Sequence, residues 1–455
     1  MDKAEGAGHR KDRRKTRRHP STPSSDSETS RKAERRKRSS RNKKNRKSKR
    51  RKRRSSSTRS VVAGVVSDDG SSAPSRRRRR RDDDESAALG SKGRDDTVGH
   101  YEGDQGSIID ERYRVIRQVG IGTFGKVLEC IDLKRSEPPK NKKIGVRDGQ
   151  KPFAAIKVVR KIKRYYDAAH MEARIIDSVN RRGGRGLSHM VVLRDAFDFR
   201  GHYCLVFESL GPSLFDFLQS HDFRAFPMFC IQDFAVQLLE SLQFLHSFGL
   251  IHTDLKIENI LLLTDKEVTY RSQRIPESTR IKLIDFGGSC YDYDKKSSIV
   301  NTRQYRAPEV ILGVGWSMPS DMWSLGCILG ELYLGELLFP THNNEEHLAL
   351  IERVIGYFPH RMVDAAKYDG SQRSLANKVF DSNSCHRLER LLPPEDVTFV
   401  RRSKRLERLV GSPEEAWFLD LLSRHLVIDP RRRCTAHECL RFLASIGRNM
   451  THAAK

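Results

Sequence analysis

Ile251-His-Thr-Asp-Leu-Lys-Ile-Glu-Asn259 is the stretch from which the rest of the chain can be read. Upstream of it, Ile231, Phe234, Ala235, Leu238, Leu239, Leu242 and Leu245 recur at helical spacing and make one apolar face. Phe248-Gly249 then ends the helix, as a C-terminal glycine does. Downstream, Ile260-Leu-Leu-Leu263 has the length and apolarity of a short buried strand. Asp254, Lys256 and Asn259 therefore sit on a loop held between a packed helix and a packed strand. A carboxylate, an ammonium and a carboxamide are costly to gather there unless they do chemistry.

Further out, Tyr113 to Val119 reads as a strand, followed by Gly120-Ile-Gly122-Thr-Phe-Gly125-Lys-Val127 and a second strand through Ile131. G-x-G-x-x-G alone is weak, because glycines mark any tight hairpin. Here it joins two strands, not a strand and a helix, which argues against a dinucleotide fold. A polar insertion from Leu133 to Lys151 precedes a third strand, Phe153-Ala-Ala-Ile-Lys157-Val-Val159. A lysine inside an apolar strand either snorkels to solvent or meets an anion. Glu172 shares a helix face with Ile175, Ile176 and Val179, so it points inward, where a bare carboxylate is costly. Lys157 and Glu172 are the expected pair.

Cys204-Leu-Val-Phe207 is another buried strand, and the breaker-rich turn Glu208-Ser-Leu210-Gly-Pro212 after it is the expected hinge between lobes. After the opening loop, a polar insertion from Thr264 to Arg280 leads to the strand Ile281-Lys-Leu-Ile284 and then Asp285-Phe-Gly287. Ala307-Pro-Glu309 closes the segment that Asp285 begins. Glu309 is expected to pair with Arg433. Asp321 is expected to cap the buried helix after it and to hold the backbone of the opening loop.

The order and spacing of these five signatures resemble the protein kinases. That resemblance implies an α+β, bilobal protein-kinase fold: a small antiparallel β lobe with one key helix (about 108–207) and a larger, mainly helical lobe (about 211–445). It implies an ATP site of Val119, Gly120, Gly122, Gly125, Val127, Ala155, Lys157, Glu172, Glu208, Leu210 and Leu261, with Phe207 at its back. Asp254 is the expected acceptor of the substrate hydroxyl proton, Lys256 the neutraliser of the moving phosphoryl group, and Asn259 with Asp285 the Mg²⁺ ligands.

Within the kinases, Glu346-His-Leu-Ala-Leu-Ile-Glu-Arg353 matches six of the eight positions of E-H-L-A-M-M-E-R, from which the LAMMER, or CDC-like, family of the CMGC group takes its name. His252-Thr-Asp-Leu-Lys256, Thr302-Arg-Gln-Tyr-Arg-Ala-Pro-Glu309 and Leu338-Phe-Pro-Thr-His342 are also similar to that family. The resemblance implies phosphorylation of serine and threonine in Arg/Ser-rich splicing factors, tyrosine autophosphorylation, a nuclear location with a cytoplasmic share allowed, and a monomer. A DYRK-like enzyme is the nearest competitor, but Tyr291 and Tyr293 lie too close to Asp285 for that family's activation tyrosines. Ile257 stands where the catalytic loop usually has proline, and Ile121 where the glycine loop usually has an acid; neither removes a reacting group. Thr253 stands where most kinases carry an arginine that clamps a phosphate on the activation segment, so activity without such a phosphate is expected. Ser297, Ser298, Thr302, Arg306 and Glu309 mark that segment. Glu258, Asp292 and Asp294 are the candidate acidic subsite for a basic substrate.

Charge is distributed unevenly. Residues 1–100 hold 34 Lys and Arg against 14 Asp and Glu, no Phe, Tyr, Trp or Ile, and one leucine, so they carry +20 of the chain's +27. Such a segment buries too little apolar surface to offset the entropy of ordering it, so residues 1–107 read as a disordered tail. Its Lys/Arg runs, 41–54 and 76–81, suit nuclear localisation or non-specific, salt-sensitive RNA contact. A kinase-shaped scaffold whose tail is the working part is the reading from another class; Lys157, Asp254, Asn259 and Asp285 weigh against it. Residues 446–455 read as a C-terminal tail. The eight scattered cysteines show no zinc spacing, and no apolar run nears the ~20 residues a membrane span needs.

Overall fold

The structure, a computed structural model, describes residues 99–136 and 152–453, with the backbone alone for 136, 185, 389 and 447–453. The basic runs of the tail, with their expected disorder, RNA contact and localisation signal, lie outside the described residues.

The small lobe is one antiparallel sheet, ordered β1-β2-β3-β4-β6-β5. Its strands are β1 Ile108–Ile109, β2 Tyr113–Gly122, β3 Gly125–Asp132, β4 Phe153–Val159, β5 Leu193–Phe199 and β6 His202–Glu208. The two-residue period of β4 sends Ala154, Ile156 and Val158 into a core with Tyr113, Val115, Leu128 and Cys130. Ala155 and Lys157 are left on the opposite face. Across that face Lys157 stands in register with Val127 of β3 and Leu205 of β6.

A short helix, α1 Leu133–Ser136, follows β3. The long helix α2, Lys163–Asn180, buries Glu172 together with Ile175, Ile176 and Val179. Packing begins upstream of Ile108: Tyr101 is buried, its ring 6.1 Å from Phe199 and 5.6 Å from His202. One aromatic ring anchors this polar strap, and composition averaged over the tail hides it.

The large lobe contains α3 Leu214–Ser220, α4 Met228–His246, β7 Leu250–Ile251, β8 Ile260–Leu262, β9 Glu267–Tyr270, β10 Gln273–Pro276, β11 Ile281–Leu283, β12 Cys290–Tyr291, α5 Pro308–Leu312, α6 Pro319–Leu334 and α7 Asn344–Val354. The apolar face of α4 is buried at every position of the sequence pattern, each of its Ile, Leu and Phe side chains contributing roughly 1.5–3 kcal/mol. Gly249, at φ +79°, turns the chain out of α4 into β7. The insertion 264–280 folds as the β9–β10 hairpin, turned at Arg271 and Ser272 with φ +44° and +65°. That turn normally selects Asn-Gly, and without those residues it was not legible. The last helix, Ala436–Ala453, runs past the expected boundary at 445. All eight cysteines are free thiols. Among the described residues no helix is long and apolar enough to cross a membrane.

Candidate active site

The lysine of β4 meets its anions. Lys157 Nζ lies 2.9 Å from both carboxylate oxygens of Glu172 and 3.5 Å from Asp285 Oδ1. Burial opposes the charge on Lys157, yet Asp285 and Glu172 outweigh it and hold the ammonium's pKa above its ordinary value. Lys157, working against burial, holds the Asp285 carboxyl below its ordinary value. Burial pushes Glu172 up against the pull of Lys157. Asp285 has φ +63°, a conformation that is strained for a residue with a side chain. Phe286 beside it is fully buried, its ring edge-on to His252 at 5.2 Å.

β8 and β11 form a short antiparallel ladder that brings the opening loop to Asp285. Just beyond its last pair, Ile284 N donates to Asn259 O at 3.0 Å, so Asn259 and Asp285 leave the ladder as neighbours. Asp254 is held from several sides. Its Oδ1 accepts from Thr302 N (3.2 Å) and Thr302 Oγ1 (2.7 Å), and its Oδ2 lies 2.9 Å from Lys256 Nζ. Asn259 Nδ2 donates to Asp254 O (2.9 Å) and Oδ2 (3.3 Å), and Lys256 Nζ also reaches Thr302 Oγ1 at 3.2 Å. Burial works against the charge on Lys256, but Asp254, Glu258 and Asp285 hold its pKa above the ordinary lysine value.

Asp321 does not cap its helix. It is the third residue of α6, and its fully buried carboxylate accepts from His252 N (2.8 Å), Thr253 N (3.0 Å) and His246 Nε2 (3.0 Å). Burial would raise its pKa, but these donors hold it below the ordinary value. The loop backbone is thereby fixed from beneath, with Thr253 at φ +67°.

At the glycine hairpin a Cβ on Gly125 would stand 2.2 Å from Val158 O, so only glycine fits against β4 there. Gly120 and Gly122 have open space where a Cβ would be, and Val119 is more than half exposed. At the hinge, Glu208 Oε1 accepts from Lys282 Nζ (2.9 Å) and Val192 N (3.0 Å). That oxygen is thus committed to the hinge. Leu261 sits in β8 and bridges to Ser213 after the hinge, and Leu210 and Phe207 pack on the large-lobe core. Lys282, which also donates to Met190 O at 2.9 Å, was not expected from the sequence. It is a lone lysine in an apolar strand, the same signal that exposed Lys157.

In the activation segment, Glu309 and Arg433 form a fully buried two-pronged pair, 2.7 and 2.9 Å. Arg306 donates to Val300 O and Asn301 O, both at 3.0 Å. Ser297 and Ser298 are exposed. Of the expected acidic subsite, Asp292 and Asp294 lie exposed on the activation segment. Asp292 accepts from Lys296 and from Ser317, each at 2.6 Å, and Asp294 from Tyr291 N at 2.9 Å. These two carboxylates shape the segment itself. Glu258 stays beside the loop, where its charge acts on Lys256.

The donor set suits a nucleotide and a hard cation: carboxylate and amide oxygens at one ladder end, a fixed ammonium, and a glycine hairpin above β4. The protein kinase domain family model matches residues 113–442. Serine/threonine-protein kinase AFC3 of Arabidopsis thaliana is 41% identical over 366 residues, 76% of this chain and 85% of that protein. Dual specificity protein kinase CLK2 of Homo sapiens is 36% identical, covering 76% and 66%. Dual specificity protein kinase lkh1 of Schizosaccharomyces pombe is 40% identical, and the match spans 76% of this chain but only 48% of that protein. A crystal structure of a kinase domain superposes with a TM-score of 0.66 at 35% identity, over 76% of this chain and 99% of the other.

Proposed function

Since the chain belongs to the protein kinase family, in its LAMMER or CDC-like branch, we propose that it moves the γ-phosphoryl group of ATP onto serine and threonine hydroxyls of Arg/Ser-rich, splicing-factor-type proteins, and onto its own tyrosines, in the nucleus. One observation carries the reading: Lys157, Glu172 and Asp285 are joined in one cluster, and the Asp285 strand ends beside the loop that fixes Asp254. Lys157 holds the α- and β-phosphates, its charge maintained by Glu172. Asp254 orients the incoming hydroxyl and takes its proton. Lys256, charged and 2.9 Å from Asp254, offsets the negative charge that develops between nucleophile and phosphoryl group. Asp285 and Asn259 would hold Mg²⁺, which when bound neutralises the β- and γ-phosphate oxygens. Most of the catalysis is positioning and electrostatics, which suits a loop pinned by Asp321 and Thr302.

The substrate class is supported by the relatives and by the Arg/Lys and Ser content of the tail. Residues 101–455 themselves carry about +7, so preference for a basic peptide must be local. Glu258 beside the catalytic loop and the exposed Asp292 and Asp294 on the activation segment are the acids available to meet an arginine next to the phosphorylated serine. The test is an in vitro assay on an Arg/Ser peptide, wild type against Asp254→Asn, with phosphosites mapped. Serine phosphorylation that disappears in the variant and weakens when flanking arginines become alanine is expected. Equal labelling of peptides with and without arginine would remove the substrate proposal and leave the kinase assignment standing.

A further inference from the structure

The segment from Asp285 to Glu309 is stitched to the catalytic loop at two places. At the near end Thr253 Oγ1 donates to Gly288 O at 2.7 Å, and Ser289 Oγ donates to His252 O at 3.1 Å. At the far end the contact runs through Asn301. Its Nδ2 donates to Thr253 O at 2.9 Å and to Ser324 Oγ at 3.3 Å, and the residue is almost fully buried. Asn301 has φ +64°, a conformation that asparagine tolerates better than other residues with a Cβ. Arg306 braces it from behind, donating to Asn301 O, while Ser324 passes its own hydrogen on to Tyr305 O at 2.8 Å.

The latch matters because of its neighbour in the chain. Thr302 comes directly after Asn301, and its backbone N–H and hydroxyl both rest on Asp254 Oδ1. A shift at 301 therefore lifts Thr302 off Asp254. The loop residue that accepts the latch, Thr253, is neutral and gives a phosphate no cation to pair with.

We infer that Asn301 is a positioning residue whose side-chain amide latches the activation segment to the catalytic loop, holding Thr302 against Asp254 with no phosphate on the segment. The inference rests on the phosphoryl-transfer reading above and names what sets that site in order. It is independent of the identity of the protein substrate.

The test uses the full chain, treated with a broad-specificity phosphatase and assayed on an Arg/Ser peptide, beside Asn301→Asp and Asn301→Gly. Aspartate keeps the size but turns an oxygen toward the carbonyl of Thr253. Glycine keeps the backbone conformation and removes the side chain. Dephosphorylated wild type should keep kcat within about twofold, while both variants lose roughly tenfold or more in kcat with the KM for ATP little changed, the pattern of a lost transition-state contact. The inference is overturned if dephosphorylation silences the wild type and rephosphorylation restores it, or if both folded variants keep wild-type kcat. Where thermal melts show that neither variant folds, the phosphatase arm decides alone. A wild type that phosphorylates no peptide under any condition would instead sink the phosphoryl-transfer reading.

Discussion

At the scale of single residues, Asp254 shows how local contacts select a role. Its two oxygens are divided: Oδ1 faces Thr302 and Oδ2 faces Lys256 and Asn259. A phosphate on Thr302 would stand against that carboxylate, so the threonine acts here as a hydrogen-bond donor, not as an activating phosphosite. Thr302→Ser should keep most of the activity. Thr302→Ala should lose about ten- to a hundredfold in kcat, the scale of one or two charge-assisted hydrogen bonds, and Thr302→Glu should be worse. Steady-state kinetics on one peptide rank the three, and a Thr302→Glu enzyme more active than Thr302→Ala would contradict the assignment. Asp321 offers a pH test. Its folded pKa is depressed, so its stabilisation is fully present above the ordinary carboxylate value and is lost as pH falls through the folded one. The gap in melting temperature between wild type and Asp321→Asn should therefore narrow as the buffer is taken below about pH 4.

At the scale of elements, the short α5 adds one long-range ion pair to its apolar packing in the large-lobe core. Glu309 and Arg433 are both fully buried, so removing either partner leaves an uncompensated charge. Glu309→Ala or Arg433→Ala should cost about 3–5 kcal/mol in denaturant unfolding, and a loss below about 1 kcal/mol would show that the pair is dispensable. The family-marking helix α7 is structural where it is most distinctive. Glu346 turns back to accept from His342 N at 2.8 Å, and His347 lies fully buried beside Phe339. Burial, with Arg306 and Arg303, pushes the His347 imidazole down to about 3. A neutral buried histidine is favoured for protonation on unfolding, so stability should fall on acidification below its ordinary value. His386 and His425, pushed down to about 4, act in the same direction. Replacing His347 with leucine should remove one proton from the slope of unfolding free energy against pH, about 1.4 kcal/mol per unit between about pH 6 and 4. The elements differ in how legible they were. The strands and helices of the cleft could be read because apolar period and chemistry coincide on them: β4 with its lysine, α2 with its glutamate, α4 with its unbroken face. The β9–β10 hairpin, the Tyr101 strap and the latch at Asn301 were not. Their signals are a turn without its usual residues, a single ring in a polar segment, and a backbone angle that only coordinates reveal.

At the scale of the whole molecule, the small-lobe sheet has a core of its own, while the buried face of α2 at Ile175, Ile176 and Val179 joins the large-lobe core. To the site the small lobe contributes the glycine hairpin and Lys157, and the large lobe contributes Asp254, Asn259 and Asp285. Near the site, β4, through the Lys157–Asp285 pair, and the hinge, through the Glu208–Lys282 pair, tie these halves electrostatically. Chelating divalent cations should stop phosphoryl transfer without unfolding the chain, since among the described residues no cluster of three or more His, Cys, Asp or Glu is placed to hold a structural metal. Lys282→Met should loosen the hinge and raise the KM for ATP more than it lowers kcat, because it removes a nucleotide-side contact and leaves Asp254 untouched. The proposed function has residues from both lobes acting on one nucleotide, with Asp254 serving the transfer step and not the binding step. The decisive measurement is single-turnover transfer by Asp254→Asn, taken beside its affinity for ATP·Mg²⁺. An affinity within about threefold of wild type with a transfer rate at least about a hundredfold lower is the predicted result; an unchanged transfer rate would contradict that division of labour.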